Sequence, residues 1–370
     1  MKNRGGYWRD EAYEALLILL RAGLWERQPE VTACFPLTDD VWERVFLLAR
    51  QQTVAGLVFR GVQLLPKELL PPEKLRMRWI VMVDALERKN REMNKVLVDL
   101  CAYLAEAGVY PVVQKGQGVA QLYEKPLLRE CGDIDLFFSS SKAAAAALQC
   151  IRICGIKPVK RADGSYWYKW KDVVVEHHVR LLDLHNPFQQ HVAQDLINRY
   201  GFCHTALDTV PGHSITVPSP FLNLLLQNLH VMKHALGWGI GLRQLCDMAR
   251  TCYVFRGKID EAELRTVCRK LGIERWTALL HAFLTEFLGL PDECLPYPIK
   301  AETAQPLLGI ICRGGNFGHF VPERTDGTVS LRVNKWHTAR AFWKNVCFSR
   351  KYAPKEAFWM VANLVKGRLL

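Results

Sequence analysis

Apolar positions change their period twice along the chain. Between about 10 and 107 they recur every three or four residues, the spacing of amphipathic helices, most clearly in "DDVWERVFLLARQQTVAGLVFRGVQLL" and "EKLRMRWIVMVDALERKNREMNKVLVDLCAYLAEAG". The proline-marked "LPKELLPPEK" connects the two stretches, and Gly108 closes the second. From 109 the period shortens. "VYPVVQ" (109–114) is short and β-branched and predicts a buried strand, "KGQG" a turn, and "VAQLYE" a brief helix stopped by Pro126. "CGDIDLFF" reads as the next strand, "SKAAAAALQCIRICG" as a helix with a serine cap, and "SYWYKWKDVVVEHHVRL" as two strands that pair. Helical spacing returns from Pro218 in "SPFLNLLLQNLHVMKHALGWG", "LRQLCDMARTCYVF", "DEAELRTVCRKLG" and "ERWTALLHAFLTEFLG". Residues 296–330, rich in Gly and Pro, predict loop, and the tail from Leu331 predicts a basic helix.

The pattern predicts an α/β (α+β) protein in which a small mixed sheet is flanked by helical domains. Its divisions are a helical region at 1–108, an α/β core at 109–215, a helical domain at 216–295, and loop with a basic, aromatic helical tail at 296–370. The 370 residues are 49% apolar and 10% aromatic, enough for a packed core and against disorder. The formal charge of +12 favours anionic partners: nucleotides, nucleic acid or a lipid surface. Twelve cysteines are scattered with no C-x-x-C pair, which predicts reduced thiols in an intracellular protein. The opening stretch carries Asp10, Glu11 and Glu14 beside its apolar residues and reads as a helix, not a leader. No apolar run is long enough for a transmembrane segment, and the expected location is cytoplasmic.

Candidate chemistry begins in "RECGDIDLFFSSS". Strands disfavour aspartate, and a half-buried carboxylate is costly unless something pairs with it. Asp133 and Asp135 share one strand face, with Ile134 on the other, so both can converge on one or two divalent cations. Magnesium, with manganese as the substitute, suits carboxylate oxygens combined with substrate phosphates. Glu176 in "VVVEHHVRL" is the third carboxylate, and a strand beside the first would bring it to the aspartates. Val174, Glu176 and His178 share a face, so His178 either orients Glu176 or touches the nucleotide. Lys115 and Gly116, where a strand meets a short helix, make a phosphate seat, and Arg129 can hold a further phosphate.

Other features have plainer readings. His177 and His178 point to opposite faces, and no zinc spacing joins them to His185 and His191. Arg243 and Asp247 are four apart and read as a helix-surface ion pair; with His230, Lys233 and His234 they could otherwise line a cleft. "GQGVAQ" lacks the third glycine of a dinucleotide fingerprint. In the tail, Trp336, Trp343, Phe348, Tyr352 and Trp359 recur at helical spacing among Lys and Arg, which favours packing on the body over RNA or membrane binding.

Together "QKGQGVAQLY", "RECGDIDLFF" and "VVVEHHV" resemble the DNA polymerase β-like nucleotidyltransferase superfamily, and more narrowly the uncharacterised bacterial nucleotidyltransferase family, over about 40–290. One departure is that Lys115-Gly116 stands where the superfamily has a glycine pair. The resemblance implies transfer of an NMP from an NTP to a hydroxyl acceptor, with release of pyrophosphate. Asp133, Asp135 and Glu176 would be its catalytic metal ligands, and Lys115, Gly116, Arg129 and His178 would hold the nucleotide. The acceptor, a small molecule or a protein, has no readable code, and nucleic acid is the less favoured partner. The alternative is a non-catalytic nucleotide-binding or interaction protein that retains the fold.

Overall fold

A computed structural model of the chain describes residues 10–30, 34–237, 239–314 and 346–365. Helix α1 (Glu11–Trp25) starts at Asp10, whose carboxylate accepts from the Ala12 amide at 3.1 Å. It is buried nearly all round, from Ala12 to Leu24, so it lies inside the helical body instead of coating it. The first long amphipathic stretch is two helices, α2 (Asp39–Gln51) and α3 (Ala55–Gln63). The chain breaks between them, where Thr53 has φ 52° and the Glu130 carboxylate accepts from the Ala55 amide. Helices α1 and α3 cross backbone to backbone through glycines: a Cβ on Gly61 would stand 2.0 Å from the Leu19 carbonyl oxygen, and one on Gly23 1.9 Å from that of Leu57. Gly61→Ala should therefore push the helices apart and cost about 1–3 kcal/mol. A lowered denaturant midpoint would show it.

Helix α4 (Glu73–Glu106) runs 34 residues, about 50 Å at ~1.5 Å per residue. Its first half, with Leu75, Trp79 and Val83, belongs to the helical core; its second, with Leu97, Leu100 and Leu104, lies under the sheet. The sheet comprises β1 (Val112–Val113), β2 (Ile134–Phe137), β3 (Val159–Lys160), β4 (Tyr166–Trp170) and β5 (Val173–His178), in the order β1-β2-β5-β4-β3. Only β2 and β5 are parallel. Between β1 and β2 sits the five-residue α5 (Gly116–Ala120), and α6 (Ser141–Ile153), capped by Ser140, follows β2. The β4–β5 pair expected from the sequence forms a tight hairpin, with Lys171 and Asp172 both at positive φ (46° and 63°), as a twisted two-residue turn requires. Ile134, Leu136 and Val175 pack with α4 and α6 on one sheet face. The alternate positions face the other way.

The sequence pattern did not disclose α7 (Gln190–Tyr200) or the hairpin β6 (Phe202–Ala206) with β7 (Ser214–Pro218). Helices α8 (Pro220–Leu236), α9 (Leu242–Phe255), α10 (Glu261–Leu271) and α11 (Glu274–Glu286) share one apolar core with α1–α3. The two helical regions are thus packed together. Helix α12 (Gln305–Gly314) corrects the loop expected over 296–330, because Leu307, Leu308, Ile310 and Ile311 form an apolar face that the body buries. Residues 296–304 are loop as expected, whereas 315–330 and the tail over 331–345, with Trp336 and Trp343, lie outside the described residues. Further on, Phe348 packs on Trp276 (6.4 Å between ring centres) and Trp359 on Phe188 (5.4 Å), and Tyr352 is buried. No described helix is long and apolar enough to cross a membrane, and all twelve cysteines are free thiols.

Candidate active site

The parallel pairing of β2 with β5 sets Asp135 directly opposite Glu176 and Phe137 opposite His178. Strand alternation then puts Asp135, Glu176 and His178 on the face away from α4 and α6. Asp135 and Glu176 are both buried, yet the structure partners each of them. Asp135 Oδ1 accepts from His178 Nε2 at 2.5 Å and pairs with Lys115 Nζ at 3.1 Å. Glu176 Oε1 pairs with Arg161 Nη2 at 2.6 Å, and its Oε2 lies 3.7 Å from His178 Nε2. Burial alone would raise the Asp135 carboxyl, but Lys115 and His178 hold it far below the usual carboxylate range. Among the described residues, Asp135, Glu176 and His178 form a group able to hold a metal ion, with ligand atoms all within 4.8 Å of one another.

Asp133 lies one residue before β2, in a bend, and stands outside that group. It is nonetheless coupled to it. Burial and the negative charge of Asp135 push its carboxyl up to about 6, against the pull of Lys115 and Arg243. Gly116 (φ 48°) brings the α5 turn onto the same bend: a Cβ there would be 3.3 Å from the Asp133 carbonyl oxygen. Lys115, Gly116, Asp133, Asp135, Glu176 and His178 are thus brought together. His178, expected at the nucleotide or beside Glu176, bonds Asp135. His177 points into the other face, where it meets the Tyr168 hydroxyl at 2.7 Å and burial lowers it to about 3.

Arg129 is placed elsewhere. Its Nε and Nη2 donate to the two oxygens of Asp247 at 2.8 and 2.7 Å, and the Tyr123 hydroxyl donates to Asp247 Oδ1 at 2.7 Å. The arginine expected at a phosphate is therefore buried in an ion pair, its charge held by a bidentate carboxylate. The expected Arg243–Asp247 helix pair is corrected by the same contact, since Asp247 is turned inward to Arg129. Arg243 instead donates from Nη1 to the Glu130 carbonyl at 2.8 Å, and its enclosed Nε has no partner.

The helical body supplies the opposite wall. His230 and His234 stack edge to face at 4.5 Å on α8. Burial first, and nearby cations including Lys115 second, keep both neutral, His234 at about 3. Lys233, on the same helix, pairs with Asp183. Sequence reasoning missed Arg161. The row Val159–Trp167–Glu176–Asp135 across four strands would have revealed it, because Arg161 follows Val159 by two positions.

A mixed sheet thus carries an aspartate and a glutamate on adjoining parallel strands, faced by lysine, histidine and arginine. The family described as "Uncharacterised nucleotidyltransferase" matches residues 38–289, more than half of the chain, and the protein belongs to that family. No curated protein and no solved structure matches the chain.

Proposed function

We propose that the protein is a magnesium-dependent nucleotidyltransferase that moves an NMP from an NTP to a hydroxyl acceptor and releases pyrophosphate. The observation that carries this reading is the register of Asp135 against Glu176 on adjoining parallel strands, with His178 between them. The donor set fits the cation. Two carboxylates with a third beside them concentrate negative charge, and their oxygens suit magnesium; the imidazole is compatible with manganese as the substitute.

Asp135 and Glu176 would hold the ion with Asp133 beside them, and the bound cation would supply charge neutralisation at the phosphates. Lys115, now on Asp135, would turn to the polyphosphate, and the Gly116 turn gives it the close approach. Glu176 would take the proton as the acceptor oxygen bonds to the α-phosphorus. The α–β bridging P–O bond breaks, and its electron pair leaves with pyrophosphate.

Calorimetric binding of each of the four NTPs, with and without magnesium, tests the reading. Magnesium-dependent binding by wild type, lost in Asp133→Asn/Asp135→Asn, is expected, followed by transfer of α-labelled nucleotide. Binding without any transfer would favour the non-catalytic alternative. Lys115→Gln should raise the NTP KM about ten- to a hundredfold, the worth of one charge-assisted hydrogen bond, in steady-state assays of the labelled product.

A further inference from the structure

Two guanidinium groups approach one carboxylate, and only one of them has it. Asp247 gives both oxygens to Arg129 and receives the Tyr123 hydroxyl, and Arg243, four residues earlier on the same helix, makes no bond to it. Among the described residues Arg243 makes no ion pair. Its Nη1 reaches the Glu130 carbonyl, and its Nε is enclosed without a partner. Burial, and then the positive charge of Arg129, weakens its hold on the proton. A largely enclosed guanidinium with an unpartnered N–H and no direct ion pair is costly, and buried charges are ordinarily paired.

The position of Arg243 indicates the anion. Its charge acts on Asp133, at the edge of the carboxylate cluster, and on His234, across from Lys115. Its bond to the Glu130 carbonyl, three residues before Asp133, sets it where α9 meets the lead-in to β2. We propose that Arg243 binds the polyphosphate of the nucleotide at this junction, as an ion partner that the helical body contributes to the sheet's site. This rests on the nucleotidyl-transfer reading. A phosphate or carboxylate on the acceptor offers the same chemistry from a second source, and the experiment separates the two.

The probes are inorganic tripolyphosphate and each NTP, titrated by calorimetry with and without magnesium into wild type, Arg243→Gln and Arg243→Lys. Arg243→Gln should weaken both probes about ten- to a hundredfold, with Arg243→Lys in between, since lysine keeps the charge but not the fork. The thermal midpoint of Arg243→Gln should be unchanged or raised, because an unpaired enclosed charge is removed. Equal affinity of wild type and Arg243→Gln for both probes would overturn the assignment, and a lowered midpoint with unchanged affinity would make the residue structural. Polyphosphate affinity unchanged but transfer to phosphorylated acceptors selectively lost would move the anion to the acceptor and overturn it equally. Wild type that binds neither probe would bring down the nucleotide reading itself, a distinguishable failure.

Discussion

Asp135→Asn should abolish nucleotidyl transfer, by about 10³-fold or more, while the protein stays folded. The magnitude follows from the loss of a preorganised charge in a water-poor site, where a single lost electrostatic contact is worth about 10²–10³ in rate. Asp135 lies at the point where three partners meet, Lys115, His178 and the facing Glu176. An asparagine keeps the shape and the capacity to accept from Lys115 and His178, but not the negative charge. The strand is held by Ile134 and Leu136 on its other face, both fully buried, so circular dichroism should change little, while the thermal midpoint should fall because Lys115 and His178 lose their anion. The paired measurement is product formation from α-labelled NTP. Full activity in a well-folded Asp135→Asn protein would remove the carboxylate cluster from the mechanism.

Arg129→Met should have the opposite profile, a stability loss of about 3–5 kcal/mol. Removing the guanidinium leaves the Asp247 carboxylate, at 4% side-chain exposure, with the Tyr123 hydroxyl as its remaining side-chain hydrogen bond and with Arg243 near but not bonded to it. The pair bridges the segment before β2 to α9, so its loss should also loosen the approach of the helical body to the site. Arg129→Met/Asp247→Leu should recover most of the lost stability, since an apolar pair replaces a buried ion pair at little cost. Chemical denaturation of the two single variants and the double variant measures the coupling. A single variant as stable as wild type would show the pair to be dispensable.

The carboxylate cluster was legible where it was local. Asp133 and Asp135 stood out because strands avoid aspartate, and Glu176 because it interrupts a β-branched run; a strand beside the first was expected to bring Glu176 to the aspartates, and β5 sets it opposite Asp135 while Asp133 lies in the bend before β2. Charge partners were legible only where they lie close in sequence, and the important ones do not. Arg129 and Asp247 are 118 residues apart, whereas Arg243 and Asp247 have the spacing of a helical pair, so the four-residue rule selected the wrong arginine. Helix α12 was hidden for a related reason: glycines and prolines around it signal loop, but its apolar face is needed to close the core beside α11. Hairpin β6–β7 carries the mixed burial of a half-exposed ribbon and offers no long apolar run to read.

The shared core of α1–α3 and α8–α12 has a consequence for how the chain is made. Helix α1 presents Leu16, Leu19 and Leu20, all at 0% exposure in the finished protein, and its Trp25 packs on Tyr253 and bonds the Leu288 carbonyl, partners synthesised more than two hundred residues later. On the ribosome the sheet, with Ile134, Leu136 and Val175, emerges whole while those helices still wait for their partners. A segment made before the sheet is thus among the last to be buried. Chaperone dependence and aggregation should concentrate in truncated chains that end before α8.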